Sequence, residues 1–485
     1  MQQQNQIMLL TYCNSLGRNI GELHHILGRY FEGAIGGIHL LPFYPSSGDR
    51  GFVPMGYRHV DPAYGDWDDI RALAGDYTLM FDFVLNHLSV KSKYFKDFLQ
   101  YKDESYYRNL FIRCKDFWQD GEQSGQEASL VLLSPHKPYT MARFDDGSRE
   151  EVWSTLGEGV VDLNCESEAG LRFIAGNLSF LADMGAKAIC LNQVSFAIKR
   201  PGTNCFFVEP EVWGLLEFCE NVLAHKGVTV LPEVSGPYPL KQKVAAHGHC
   251  VYDTALPMLL LHALYYGNSG YLKQWLAACP HKQYTTLDTH DGINATGAYG
   301  LLPDEELAKT KRQLLRYGLG LTSKAQREAY TKHSAFALNC TYYSALGDDD
   351  DAYLLARAVQ FFAPGTPQVY YMGLLAGKND HGLHELTKKG RDLNRHSYTE
   401  DQIDSEVGRP VVQRLRSLMR FRNEHPAFSG SVEVLQSDNH SLHIRRVNKT
   451  HVAQLEVDFA HKTFSIRCTS MHGNTMRELH SVCGY

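Results

Sequence analysis

The 485-residue chain lacks any apolar run that approaches the roughly 20 residues needed to cross a bilayer. Its first ten residues, Met1 to Leu10, also lack the basic segment of a secretory signal peptide. These two absences predict a protein that is neither membrane-spanning nor secreted. We therefore expect a cytoplasmic location.

Paired cysteine spacing is absent as well. The 11 cysteines are an odd number and are scattered from Cys13 to Cys483. This pattern favours reduced thiols, and it argues against a disulfide framework or a zinc knuckle.

No block of basic residues is present. The chain has 48 Lys and Arg against 54 Asp and Glu, so its formal net charge is −6. This balance makes nucleic acid an improbable partner, because phosphate backbones are bound by clustered positive charge. A small neutral or anionic ligand fits the composition better.

Short apolar strand candidates alternate with amphipathic helical stretches along most of the chain. This alternation is typical of parallel βα units. It predicts an α/β protein whose main body is a (β/α)₈ TIM barrel. The clearest strand candidates are Ile7–Tyr12, Gly37–Pro42, Leu79–Leu85, Ala186–Leu191, Val228–Leu231, Tyr284–Leu287 and Gln368–Met372.

Three regions depart from the alternation and set the predicted domain limits. We expect the barrel to comprise residues 1–87, 166–291 and 348–427, with inserted subdomains at 88–165, after strand 3, and 292–347, after strand 7. Residues 428–485 alternate polar and apolar side chains and predict a small antiparallel β domain. The acidic run Asp348–Asp351 is interpreted as a solvated loop.

Polar residues lie near the carboxyl ends of several predicted strands or directly after them. Because a parallel barrel carries its functional groups after the carboxyl ends of its strands, these residues are predicted to line one pocket. They are Asp82, Asn86, His87, Asn192, Glu233, His290 and Asp291.

Several longer motifs carry a family resemblance. They include Leu41-Pro-Phe-Tyr44, Val251-Tyr-Asp-Thr-Ala-Leu-Pro257, Leu287-Asp-Thr-His-Asp-Gly-Ile293 and Gly390-Arg-Asp-Leu-Asn-Arg-His396. With these motifs the chain resembles glycoside hydrolase family 13, the α-amylase superfamily, and within it the sucrose phosphorylases. The resemblance runs nearly end to end. It implies transfer of a glucosyl unit from sucrose to phosphate with retained configuration.

The resemblance also implies roles for individual residues. Glu233 resembles the general acid/base, and Asp291 resembles the carboxylate that stabilises the transition state. Since these and the sugar contacts account for the conspicuous acids and histidines, we expect no metal and no organic cofactor. The expected substrate-binding residues are Asp49, Phe52, His87, Cys190, His290 and Arg391.

The chain departs from the family pattern where the catalytic nucleophile should lie. Family members carry Arg-x-Asp where this chain reads Cys190-Leu-Asn192. A neutral carboxamide is a weak nucleophile and stabilises positive charge poorly, so Asn192 cannot replace the aspartate. Cys190 also removes the arginine that orients the acids of the site.

The expected acceptor region differs too. Phe196 and Ser235 replace a Tyr and a His of the subgroup, Ser334–Ala337 replaces a polar segment, and Ser134 aligns loosely with a phosphate-contacting Arg. Because an anion needs fixed donors or positive charge, phosphate binding is in doubt.

These departures leave it uncertain whether the protein is an enzyme. The first hypothesis is a pseudoenzyme that binds glucose-type sugars or sucrose but performs little or no double displacement. The alternative is an active glucosyl transferase, phosphorylase or hydrolase that uses Glu233 and Asp291 in a non-standard mechanism. Weak residual sucrose phosphorolysis and a purely structural role stay open, and the resemblance makes a homodimer plausible.

Overall fold

The computed structural model describes residues 5–118, 130, 136–319, 337–470 and 473–480, the last range by its backbone alone. The chain divides into two compact units. The first comprises Met1–Arg18, Glu22–Ile38 and Gly236–Tyr485, and the second comprises Asn19–Gly21 and His39–Ser235. The segments Ser334–Phe336 and Ser134, which carried part of the acceptor argument, lie outside the described residues.

Eight parallel strands form one nearly closed barrel, which confirms the predicted fold class. The strand order in the sheet is β6-β7-β8-β1-β2-β3-β4-β5. The strands are β1 (Met8–Thr11), β2 (Gly37–Leu40), β3 (Thr78–Val84), β4 (Ala186–Asn192), β5 (Thr229–Pro232), β6 (Val251–Asp253), β7 (Gln283–Thr285) and β8 (Thr366–Tyr370).

The barrel strands are short and apolar because both of their faces are covered. All four residues of β1 and of β2 are buried. Such strands read as continuous apolar runs, which is why most of them could be recognised in the sequence. Strand β6 was not among the clearest strand candidates, although its residues Val251–Asp253 belong to one of the quoted family motifs.

The register between β3 and β4 determines which polar groups meet. Asp82 lies directly opposite Cys190, and Val84 lies opposite Asn192. Because side chains alternate along a strand, Cys190 and Asn192 share one face of the sheet.

Helices begin where side chains can satisfy their first amide groups. Asp66 and Asp69 form a capping box before Trp67–Asp76, and Ser167 accepts the Gly170 amide before Glu168–Asp183. The other helices of nine or more residues are Ile20–Phe31, Lys93–Tyr101, Glu211–Ala224, Tyr238–Ala246, Leu256–Tyr266, Gly270–Ala278, Asp304–Leu319, Asp350–Phe362 and Pro410–Glu424. The shorter helices are Cys114–Phe117, Tyr342–Ala345, Tyr371–Leu374, His381–Thr387 and Glu400–Val407.

None of the helices in the described ranges is long and apolar enough to cross a membrane.

The two regions predicted as insertions contain short antiparallel pairs. In the first, His87–Ser89 pairs with Val160–Asp162, and Tyr139–Arg143 pairs with Arg149–Trp153. In the second, Ile293–Asn294 pairs with Ala337–Leu338. The boundaries assigned to the domains stay predictions.

The interpretation of Asp348–Asp351 as a loop was wrong in part. Asp349 caps the helix Asp350–Phe362, and its carboxylate accepts hydrogen bonds from the amides of Asp351 and Ala352. Acidic side chains are favourable at this end of a helix because they face the positive end of its dipole. The run is therefore a helix start.

The C-terminal region is a five-stranded antiparallel sheet in sequential order. Its strands are Ser431–Leu435, Ser441–Val447, His451–Asp458, Thr463–Ser470 and Gly473–His480. Strand Ser441–Val447 alternates buried and partly exposed residues along its length, as the sequence pattern predicted.

Candidate functional site

Asn192 is the last residue of β4 and is buried, with 5% of its surface exposed. Its backbone carbonyl accepts a hydrogen bond from the Leu85 amide at 3.0 Å. Gln193 then takes a left-handed conformation, with φ 61° and ψ 29°, and ends the strand. A neutral carboxamide thus occupies the buried carboxyl end of β4.

Cys190 lies two residues before Asn192 and is also buried. Its sulfur lies beside the side chains of His39 and Asp82. Substrate contact by Cys190, expected from the resemblance, stays a prediction.

Glu233 directly follows β5 and is partly exposed. Its backbone amide donates to the Leu191 carbonyl at 2.9 Å, which continues the pairing of β4 and β5 by one residue. Two residues later, the Ser235 amide donates to Ser195 Oγ at 3.1 Å. These bonds hold the loop that carries the predicted acid/base.

His87 is buried and lies three residues after β3. Its Nε2 atom lies 3.0 Å from the Phe52 carbonyl oxygen. Burial lowers the pKa of His87, which favours a neutral ring that donates this bond from Nε2. The His87 imidazole therefore holds the loop that carries Phe52.

The loop before Phe52 contains a short 3₁₀ turn, Asp49–Gly51, in which Asp49 is exposed. Gly51 has φ +100°, and a Cβ atom there would lie 2.3 Å from the Pro42 carbonyl oxygen. Only glycine permits this close return of the loop to the end of β2.

A buried lysine supports the residues around His87. Lys199 Nζ lies 2.7 Å from Asp162 Oδ2 and donates to Asn86 Oδ1 at 2.5 Å and to the Phe196 carbonyl. Sequence reasoning missed this group because Lys199 is 113 residues from Asn86.

His290 and Asp291 occupy a tight turn in the first unit. The turn is closed by reciprocal backbone hydrogen bonds between Thr289 and Gly292, at 3.0 and 2.9 Å. Gly292 has φ +101°, and a Cβ atom there would lie 2.2 Å from the Leu338 carbonyl oxygen. The glycine of the motif is therefore required by sterics.

Two guanidinium groups face the Asp291 carboxylate. Its Oδ1 atom lies 3.0 Å from Arg391 Nε and 3.6 Å from Arg395 Nη2, and His290 Nε2 is also 3.6 Å away. The buried Arg395 donates from Nε to the His290 carbonyl at 2.8 Å. Arg395 had no predicted role, although it belongs to the quoted Gly390–His396 motif.

A buried ion pair anchors the base of this turn. Arg357 Nη2 lies 3.2 Å from Asp288 Oδ1, and both side chains are fully buried. The other oxygen, Asp288 Oδ2, accepts the Tyr342 amide at 2.9 Å. Burial raises the pKa of Asp288, while Arg357 opposes this effect.

Comparison with known proteins identifies the family of this chain. Residues 6–186 match the α-amylase catalytic domain. A sucrose phosphorylase of Streptococcus mutans is 43% identical over 467 residues, which cover 95% of this chain and 97% of that protein. This chain belongs to glycoside hydrolase family 13, the α-amylase family.

Two further relatives extend the comparison. A glucosylglycerol phosphorylase of Marinobacter adhaerens is 38% identical and covers 98% of this chain and 99% of its own length. The crystal structure of a sucrose 6F-phosphate phosphorylase from Thermoanaerobacter thermosaccharolyticum matches with a TM-score of 0.92 at 35% identity, over 99% of this chain and 98% of that one. These family members all carry names of glucoside phosphorylases.

The Lys199 network gives a stability prediction. We expect Lys199→Met to lower the free energy of unfolding by about 3–5 kcal/mol, because it leaves the buried Asp162 carboxylate without its cation. Urea unfolding followed by circular dichroism measures this loss. Lys187→Met, at an exposed position of β4, is the control and should change the free energy by less than about 0.5 kcal/mol. Equal stability of the two variants would contradict the assigned role of Lys199.

Proposed function

We propose that this protein binds α-glucosides as a sucrose phosphorylase-like member of its family, and that its standard retaining glucosyl transfer is lost or very weak. The observation that carries the proposal is the neutral Asn192 at the buried end of β4. Strand β4, Ala-Lys-Ala-Ile-Cys-Leu-Asn, contains no carboxylate that could take its place.

Double displacement needs an anion beneath the anomeric carbon. The first step forms a glycosyl ester with a carboxylate, and the second step breaks that ester. The carboxamide of Asn192 carries no charge and cannot form a comparable ester. Loss of a catalytic nucleophile costs roughly 10⁴- to 10⁶-fold in turnover.

Cys190 adds to this deficit. In the family pattern an arginine stands two residues before the nucleophile, whereas here a buried thiol does. A guanidinium orients a carboxylate through fixed donors and positive charge, and a thiol supplies neither. Asn192 and Cys190 lie on one face of β4, and both are expected to weaken glucosyl transfer by double displacement.

The remaining groups suit recognition of a glucosyl unit. We assign Glu233 the position of the general acid/base and Asp291 that of the transition-state carboxylate. Arg391, 3.0 Å from Asp291, would orient that carboxylate toward sugar hydroxyls. The proposed sugar contacts are Asp49, Phe52, His87, His290 and Arg391.

The names of the relatives support a glucosyl ligand more strongly than any particular acceptor. They include phosphorylases of sucrose, glucosylglycerol and sucrose 6F-phosphate, which share the glucosyl part and differ in the rest. Phe196 and Ser235 carry no positive charge for binding phosphate. A cytoplasmic location and a homodimer stay predictions from the sequence.

The alternative is an enzyme that uses Glu233 and Asp291 without a nucleophile on β4. The 43% identity to a sucrose phosphorylase favours a protein that still catalyses a reaction of glucosyl groups. Restoration of the family residues separates the two proposals.

We expect Asn192→Asp combined with Cys190→Arg to raise the turnover of sucrose phosphorolysis by at least about 100-fold, since both the anion and its orienting cation return. Release of α-glucose 1-phosphate measures the rate. Adding Glu233→Gln to the double variant is the control and should remove the gain. A wild-type rate equal to that of the double variant would contradict the proposed loss of function.

Sugar binding is tested separately. We expect isothermal titration of the wild-type protein with sucrose and with glucosylglycerol to give a dissociation constant of about 1–10 mM for at least one of them. Asp49→Ala should weaken that binding, whereas Asp68→Ala, an exposed acid of helix Trp67–Asp76, should not. Undetectable heats at millimolar sugar would remove the binding half of the proposal.

A further inference from the structure

Three chemically different side chains meet on neighbouring barrel strands. His39 lies on β2, Asp82 on β3 and Cys190 on β4. One imidazole nitrogen, one carboxylate oxygen and the sulfur all lie within 4.8 Å of one another. All three residues belong to the second compact unit and are at least 97% buried.

The position of Cys190 in this cluster follows from strand pairing. The β3–β4 register places Cys190 directly opposite Asp82, so the two side chains project from the same face of the sheet. His39 Nε2 approaches Asp82 Oδ2 at 3.3 Å from the next strand. Regular barrel strands, rather than a loop, hold the three groups in place.

The cluster contains a buried acid whose charge needs compensation. Asp82 is 1% exposed, and among the residues that the structure describes its ion-pair partner is the imidazole of His39. Burial of an isolated carboxylate costs several kcal/mol by general estimates, which favours a nearby cation. A thiol becomes a strong ligand for such a cation once its proton is lost.

The donor set selects the kind of metal. Imidazole nitrogen, carboxylate oxygen and thiolate sulfur are the three ligand types of protein zinc sites, whereas Mg²⁺ and Ca²⁺ prefer oxygen alone. One thiolate and one carboxylate would balance the two charges of Zn²⁺. Zinc bonds of about 2.0–2.3 Å require the ligand atoms to draw together by at most roughly 1.5 Å.

We propose that His39, Asp82 and Cys190 bind one Zn²⁺ ion within the barrel of this protein. The proposal is independent of the proposed sugar-binding function. From the sequence, we expected no metal. The sequence does not show that His39 lies beside Asp82 and Cys190, and the metal proposal rests on that contact.

The test uses the full-length protein after chelator treatment, reloading with ZnSO₄ and removal of excess metal. Mass spectrometry of the metal content should give about one Zn²⁺ per chain. Cys190→Ala should lower the affinity for Zn²⁺ at least about 10-fold, as measured by competition with a chromogenic chelator. Cys219→Ala is the matched control, because Cys219 is a buried cysteine on helix Glu211–Ala224, and it should leave the affinity unchanged.

Reloading with Co²⁺ gives a second readout that does not depend on a variant. The wild-type protein should show a thiolate-to-cobalt charge-transfer band, which is absent when only surface histidines bind. Zinc affinity that is equal in the wild type and in Cys190→Ala would overturn the proposal. Absence of both retained zinc and the cobalt band would overturn it as well, even if Cys190→Ala failed to fold.

Discussion

Parallel pairing of β3 with β4 fixes which side chains of these two barrel strands face one another. The register places Asp82 opposite Cys190 and Val84 opposite Asn192. A shift by one residue would turn Cys190 and Asn192 to the other face of the sheet. Both the placement of the Asn192 carboxamide and the His39–Asp82–Cys190 cluster depend on this one constraint.

Charge compensation distinguishes this region from two others that carry a buried acid. Asp162 has Lys199 at 2.7 Å, and Asp288 has Arg357 at 3.2 Å. Asp82 instead faces an imidazole and a thiol, neither of which carries a permanent charge. The metal proposal follows from this difference in the surroundings of Asp82.

Much of the fold could be predicted from the sequence because the barrel strands are apolar runs and the C-terminal strands alternate. Strand β6 was missed, and the helix cap at Asp349 was mistaken for a loop because a run of aspartates has no hydrophobic period. The predicted site residues come from local motifs and stay predictions. Lys199, Arg395 and His39 could not be recognised in this way. Their contacts that matter join residues 37 to 113 positions apart in the chain, and the sequence does not reveal such contacts.

The most direct measurement asks whether a glycosyl ester forms on this protein at all. The wild-type protein is incubated with α-glucosyl fluoride, quenched in acid and examined by intact-protein mass spectrometry, beside the Asn192→Asp, Cys190→Arg protein. The account predicts no sugar adduct on the wild type, because Asn192 offers no anion to the anomeric carbon. An acid-stable mass increase of one glucosyl unit on the wild-type chain would contradict it.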